Sequence, residues 1–459
     1  MQNVDAAGLG IGDDYPTRIM GVLNVSRESP YDPSVFDDHD EAAAYVDEEL
    51  VGEGADIVDV GLESANKRFD VLSAEQELDR LETAIQTMES VSGDAIFSIE
   101  TRYHEVADAA LSRGFDMVND ICGFADPEMP RVCADYDVAV GKMASPADLE
   151  RPGAVESVDD IYDALTLNGF TDKTIVDPAF GGWSEDKTLD DDRETFRRLR
   201  EFRGLGHPIL VSINRKNFLR SVADRSTEEA LPVSLAATSM AVERGAHIVR
   251  THDVAETRDA ALIGKEFARD RVRDSESDVG VEELDVTTTR EAERHLERVT
   301  GSAAPSAEES DPPRTSAAAV VRVFELAGLS DSEVGALSTA AAETGVTVVS
   351  GRPDAPDRSV LADGNGGRGG AESGSPGRTA LVFGTPRALA AAFDLEVDLL
   401  PMTDDPVATI VHTPEGPMHF QEYWVHRRAD PEVLDVEFRG SESAEPTPAV
   451  LDALDAPVV

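Results

Sequence analysis

The stretch Pro208-Ile209-Leu210-Val211-Ser212-Ile213-Asn214-Arg215-Lys216-Asn217-Phe218 decides the fold. Its apolar, β-branched run is long enough for one buried strand, follows Gly206-His207, and stops abruptly at Asn, Arg and Lys. A barrel strand reads this way when its carboxyl end opens into a site. Lysine occurs at only six positions in the chain, so one at a strand's mouth points to a compact ammonium donor, the plain alternative being a solvated surface lysine.

Outward from this stretch, residues 18 to about 273 alternate short apolar runs with amphipathic helical segments. Strands are expected at 19–25, 55–61, 95–101, 117–120, 138–143, 174–178 and 246–252, besides the opening stretch. Helices fill the gaps, and Ser73 with Gln76 three residues on has the spacing of a capping box. Such alternation implies a parallel sheet with right-handed crossovers, and eight units over this length predict an α/β fold, a closed (β/α)8 TIM barrel. Polar residues stand where the strands stop: Asn24, Glu63, Glu100, Asn119, Asp120, Asp177, Asn214, Lys216, Arg250 and His252. Barrel closure would bring them onto the face where such folds carry their chemistry.

Composition narrows the partners. The 459 residues exceed one ordinary core, and a net charge of -50, with 91 acidic against 41 basic residues, argues against nucleic acid and anionic membranes. The acidity runs along the whole sequence, as in proteins of a high-salt cytoplasm, where screening tolerates it. Cys122 and Cys133 form no disulfide framework, and no apolar run approaches a membrane span, so a reduced, cytoplasmic setting is expected. Residues 1–16 lack the regions of a signal peptide and read as a flexible arm, with the Gly8-Leu9-Gly10-Ile11-Gly12 cluster no complete dinucleotide fingerprint.

The residues themselves favour a flat nitrogen heterocycle with a phosphorylated tail. Asp177, Asn119 and Glu100 offer carboxylate and amide groups suited to an aminopyrimidinone, and Lys216 a donor to ring acceptors. Arg250 and His252, alternate residues just before a helix near Ala255, make an anion site with that helix's N–H groups. Asn24 is a candidate ligand of a Mg2+ bridging phosphate oxygens.

Six segments, in order, resemble the dihydropteroate synthase family. They are Met20-Gly21-Val22-Leu23-Asn24-Val25-Ser26, Gly54-Ala55-Asp56-Ile57-Val58-Asp59-Val60-Gly61, Asn119-Asp120-Ile121-Cys122-Gly123-Phe124, Val176-Asp177-Pro178-Ala179-Phe180-Gly181, Arg215-Lys216-Asn217-Phe218 and Arg250-Thr251-His252-Asp253-Val254. The helix 231–245, with Ser234-Leu235-Ala236-Ala237-Thr238, points to the archaeal branch. The resemblance implies condensation of a dihydropterin-methyl diphosphate with 4-aminobenzoate, releasing diphosphate, for folate-type cofactors. It places the pterin on Asp177, Asn119 and Lys216, and the diphosphate and its Mg2+ on Asn24, Arg250 and His252, usually in a homodimer formed through outer helices.

The sequence departs from that pattern at several points. Glu100 stands for the usual Asp, Asn217 for a serine near the aminobenzoate carboxylate, and Ala179 for a glycine. The first loop, 26–32, and the second, 64–69, lack the usual Pro-Asp-Ser-Phe and Thr-Arg-Pro-Gly. These changes gather where the arylamine binds, so the pattern supports pterin diphosphate more directly than the second substrate. A degenerate copy that binds pterin or regulates a true synthase, and a pterin-dependent methyltransferase, are the alternatives.

Five parts are expected: arm 1–16, barrel 17–273, acidic linker 274–313 with a strand-helix piece, a small α/β or α+β domain 314–440 with a disordered loop 351–378, and a loose tail 441–459. His412, His419 and His426, near Glu422, Tyr423 and Trp424, match no familiar zinc spacing and read as surface or packed histidines.

Overall fold

The computed structural model describes residues 1–25, 34–63, 71–181, 186–274, 281–300, 316, 318–350, 378–385, 388–389, 408–413, 416–419 and 435–439. It separates into two compact units, Met1–Ser316 and Ala317–Val459.

The first unit begins with a hairpin, β1 (Val4–Ala6) and β2 (Leu9–Ile11). Eight parallel strands follow: β3 (Arg18–Asn24), β4 (Ile57–Gly61), β5 (Ile96–Thr101), β6 (Met117–Asp120), β7 (Ala139–Met143), β8 (Thr174–Asp177), β9 (Leu210–Val211) and β10 (Ile248–Thr251). Their order is β8-β7-β6-β5-β4-β3-β10-β9. A parallel bridge between Val176 and Ile209 joins the two ends, the Val176 N–H donating to the Pro208 carbonyl at 2.9 Å, so the sheet is the expected barrel. Around it lie α1 (His39–Tyr45), α2 (Ala74–Ser90), α3 (His104–Leu111), α4 (Met129–Asp135), α5 (Val158–Thr166), α6 (Leu189–Arg197), α7 (Asn217–Ala223), α8 (Leu231–Glu243) and α9 (Val254–Glu266). The Ser73–Gln76 capping box opens α2 as its spacing predicts.

Strand alternation sorts the side chains into two shells. One inward residue from each strand, Met20, Ile57, Ile96, Met117, Ala139, Ile175, Leu210 and Ile248, fills the barrel's lower bore. The outward set, among them Leu23, Val58, Ile99, Val118, Val140, Val176, Val211 and Val249, packs against the helices. The bore above the apolar layer is polar, and that is where the strand-end residues converge.

Two expectations are corrected here. The N-terminal stretch is no flexible arm: Val4, Ala6 and Ile11 are buried against the inner layer and close the barrel's floor. The hairpin turns at Ala7 and Gly8, both at positive φ, which suits a tight two-residue connection. Asp13 fixes its end, pairing with Arg203 at 2.8 Å and Arg271 at 3.0 Å; against the cost of burial, the hydrogen bond with His247 and the Arg203 guanidinium hold its carboxyl well below the usual range. The strand-helix piece beyond the barrel is also docked. After β11 (Arg273–Asp274) and β12 (Val281–Glu282), α10 (Thr289–Thr300) pairs Arg290 with Asp159 at 2.5 Å and lays Arg294 over the Tyr162 ring at 4.0 Å.

In the second unit, β13 (Arg322–Leu329), α11 (Asp331–Thr344), β14 (Thr347–Ser350) and β15 (Arg378–Gly384) form an antiparallel sheet of order β13-β15-β14 with one helix, its core including Ala341, Val346, Val382 and Leu389. A second sheet joins β17 (Gly416–His419), β16 (Ala408–Thr413) and β18 (Asp435–Arg439), and places His412 and His419 on strands. His426, the loops 26–32 and 64–69, the loop expected at 351–378 save its last residue, and the tail lie outside the described residues.

If the hairpin is part of the core, Ile11→Ala should cost about 2–5 kcal/mol, seen as a lower denaturation midpoint. An unchanged midpoint would return these residues to the status of an arm.

Candidate active site

The strand-end residues do converge, and one carboxylate the sequence reading passed over stands at the centre of their contacts. Asp59, fully buried in the middle of β4, accepts with its Oδ2 from the Arg250 Nε at 2.7 Å and from the Asn119 Nδ2 at 3.1 Å. Glu100 accepts from the Arg250 Nη2 at 2.6 Å. The guanidinium thereby ties β4 and β5 to β10, and Asn119 joins β6 to them through the same Asp59 oxygen. The two carboxylates hold Arg250 firmly in its charged form, above its ordinary range, although burial opposes it.

Asp177 and Lys216 lie within electrostatic reach of Arg250 and of each other. Burial pushes the Asp177 carboxyl up to about 6, against the Ala179 N–H that donates to its Oδ1 at 2.8 Å and against the positive charges of Lys216 and Arg250. Burial also brings the Lys216 ammonium down to about 8, with Arg250 adding to the fall and Asp177 opposing it. Both groups are therefore largely charged near neutrality.

His252 corrects the sequence reading in its charge. Burial and then Arg250 bring the imidazole down to about 3, so it is neutral and contributes as a hydrogen-bonding ring and not as a cation. Asn217 opens α7 at the exposed rim, where its Oδ1 accepts from Arg220, apart from the buried network.

The remaining strand-end residues are structural. Asp120 accepts from the N–H groups of Cys122 at 2.8 Å and Phe124 at 2.7 Å, securing the turn after β6. Asn214 and Arg215 both donate to Asp253, Arg215 through Nε at 2.9 Å and Nη2 at 2.8 Å. That fork is needed because Arg215 has φ 53°, a conformation costing about 1–2 kcal/mol, and it sets the backbone of Lys216. Ala179, at φ 57° where the resembled family has glycine, is held likewise by Lys187, whose Nζ donates to its carbonyl at 2.7 Å. Glu63 accepts from Arg102 at 2.8 Å at the root of the second loop.

Oxygen atoms surround the missing side chain of Gly61. A Cβ there would lie 3.2 Å from Asn24 Oδ1, 3.7 Å from Glu100 Oε1 and 3.8 Å from the Glu63 carbonyl. Asn24 donates with its Nδ2 to Ser34 at 2.8 Å, so its oxygen is the atom turned toward that space. A cradle of hard oxygen donors suits Mg2+.

A parallel barrel with buried Asn119, Asp59 and Asp177 and half-buried Lys216 and Arg250 at its carboxyl face fits the class of pterin-binding barrel enzymes. The chain belongs to the pterin binding enzyme family, whose model matches residues 20–252, and its barrel to the dihydropteroate synthases within it. It is 32% identical over 254 residues to the dihydropteroate synthase of Clostridium beijerinckii, covering 54% of this chain and 93% of that protein. It is 35% identical over 261 residues to a probable bifunctional folylpolyglutamate synthase/dihydropteroate synthase of Halobacterium salinarum, covering 54% of this chain but only 31% of that relative. The chain thus spans about a third of the length of such bifunctional relatives. Residues 384–459 match a different model, 2-phospho-L-lactate transferase CofD, and 73 residues are 67% identical to the 2-phospho-L-lactate transferase of Haloarcula marismortui, 16% of this chain and 22% of that protein.

Glu77 offers a check on the buried charge around the site. Burial lifts its carboxyl from 4.5 to about 7, against the Thr101 hydroxyl that donates to it at 2.5 Å. The folded state then binds more protons than the unfolded between these values, so stability is lost as pH rises through that window. Glu77→Gln removes this dependence: its denaturation midpoint should match the parent's near pH 4 and exceed it at pH 8, by on the order of 2–3 kcal/mol. Equal midpoints at both pH values would contradict the buried placement.

Proposed function

We propose that the barrel condenses a dihydropterin-methyl diphosphate with 4-aminobenzoate or a related arylamine, forming a dihydropteroate and releasing diphosphate. The observation that carries this is the gathering of Asp177, Lys216 and Arg250 within electrostatic reach of one another at the carboxyl ends of the strands, in a chain whose family includes dihydropteroate synthases. In this reading Asp177 accepts from the ring's N–H groups, the Asn119 amide oxygen accepts alongside it, and Lys216 donates to a ring acceptor. Arg250 and the neutral His252 donate to the diphosphate, together with the N–H groups at the start of α9. Negative charge grows on the departing diphosphate, so cations fixed in place before reaction stabilise the transition state more than the ground state. The arylamine then attacks the exposed methylene, and no protein nucleophile is needed.

Asn24, with Glu100 beside it, would hold Mg2+ over Gly61; when bound, the ion supplies further charge neutralisation to the diphosphate. A homodimer, if the resemblance carries over, has candidate contacts in the exposed apolar side chains Met240, Leu262 and Ile263 of α8 and α9. Among the described residues no helix is long and apolar enough to cross a membrane, and a cytoplasmic site of action is part of the same proposal.

The test is diphosphate release by the full chain in concentrated KCl with Mg2+, with and without 4-aminobenzoate. Release should depend on the arylamine, and Lys216→Ala should lower kcat/KM by about 10²–10³-fold. Release without arylamine incorporation would defeat the reading. For assembly, Ile263→Glu should shift sedimentation from dimer to monomer, and a monomeric parent chain would remove the dimer from the proposal.

A further inference from the structure

We propose that Asp59 is the positioning residue of this site, setting the pterin-side amide and the diphosphate-side guanidinium from one carboxylate oxygen; the inference rests on the reading above for what those two groups bind. Its place on the strand is unusual. Asp59 is the one charged residue in the otherwise apolar β4, and alternation points it inward with Ile57 and Gly61.

The geometry shows what the carboxylate does. Asn119 spends its amide nitrogen on Asp59 Oδ2, at 3.1 Å, so its amide oxygen is turned to the other side, over Gly141, where an added Cβ would meet it at 2.8 Å. The orientation that presents an acceptor to a heterocycle is therefore imposed from Asp59. Arg250 spends its Nε on the same oxygen and one Nη2 hydrogen on Glu100, which fixes the plane of the guanidinium and the edge left for an anion. Neither group is placed by its own strand alone.

Stability does not explain the residue. Asp59 Oδ1 is buried with no hydrogen-bond partner among the described residues, and so is the Oγ of Ser98, its register neighbour on β5. A buried carboxylate with one oxygen unsatisfied carries a desolvation cost that offsets what its pairing gains. Arg250 would keep Glu100 as a partner if Asp59 were lost.

The full chain carrying Asp59→Asn is compared with the parent in four measurements. These are the denaturation midpoint, the kinetics with both substrates, the affinity for 6-hydroxymethyl-dihydropterin, which has no diphosphate, and the affinity for inorganic diphosphate with Mg2+. The expected result is a midpoint close to the parent's, each of the two affinities weaker by about tenfold, because an amide at 59 keeps an acceptor oxygen but loses its charge, and kcat/KM for the pterin diphosphate lower by about 10²-fold. The KM for 4-aminobenzoate stays as in the parent. Asn119→Ala should weaken the pterin alone, and adding Asp59→Asn to it should cost no further pterin affinity. Parental affinities in Asp59→Asn, or an equal loss for 4-aminobenzoate, overturn the inference. Asp59→Ser serves as the second variant, and failure of both to fold overturns it in favour of a structural role. If the parent makes no dihydropteroate, the proposed reaction fails, while the two affinity measurements still decide the role of Asp59.

Discussion

An eight-stranded barrel has a bore that must be filled, and here one half-buried guanidinium sets how its upper half is filled. Arg250 lies between Asp59 and Glu100, with Asn119 on the same Asp59 oxygen. An unpaired charge there would be costly, and a carboxylate partner offsets that cost. Below it, eight apolar side chains and the N-terminal hairpin exclude water, which strengthens every polar interaction above. The sealed floor and the polar mouth therefore work as one arrangement.

Local backbone strain is concentrated at the same face. Ala179 and Arg215 both adopt left-handed conformations past the ends of β8 and β9; Lys187 donates to the Ala179 carbonyl, and the Asp253 carboxylate receives the Arg215 guanidinium. The residues they aim, Asp177 and Lys216, lie within two positions of them in the chain. Strain held by buried partners at strand ends gives side chains fixed directions before any substrate arrives, which is what charge stabilisation without reorganisation requires.

Much of this was legible in the sequence. Lys216, Arg250, Asn119 and Asp177 announce themselves because apolar strands stop at them, and the alternation of strands and helices gives the barrel directly. Asp59 escaped because it interrupts a strand without ending it, and its partners lie 60 and 191 residues away in the chain. An inward carboxylate in a run that otherwise reads Ile-Val-Val-Gly was the available signal. The hairpin escaped because strands of three residues among glycines carry too little periodicity to distinguish from an arm. The charge of His252 escaped for another reason: burial next to Arg250 decides it, and neither is visible from residue type. The C-terminal unit holds sheets and a helix, as a small α/β or α+β domain would, but its similarity to a 2-phospho-L-lactate transferase rests on a short stretch that motif reading did not detect.

The central claim is that the Arg250 side of the mouth receives the diphosphate while the Asp177 side receives the ring. Calorimetric titration of the full chain and of Arg250→Ala, each with dihydropterin-methyl diphosphate and with the corresponding alcohol in the presence of Mg2+, separates the two halves. The account predicts that the parent prefers the diphosphate strongly and that the variant binds both ligands about equally. A variant that keeps the parent's preference for the diphosphate would contradict it.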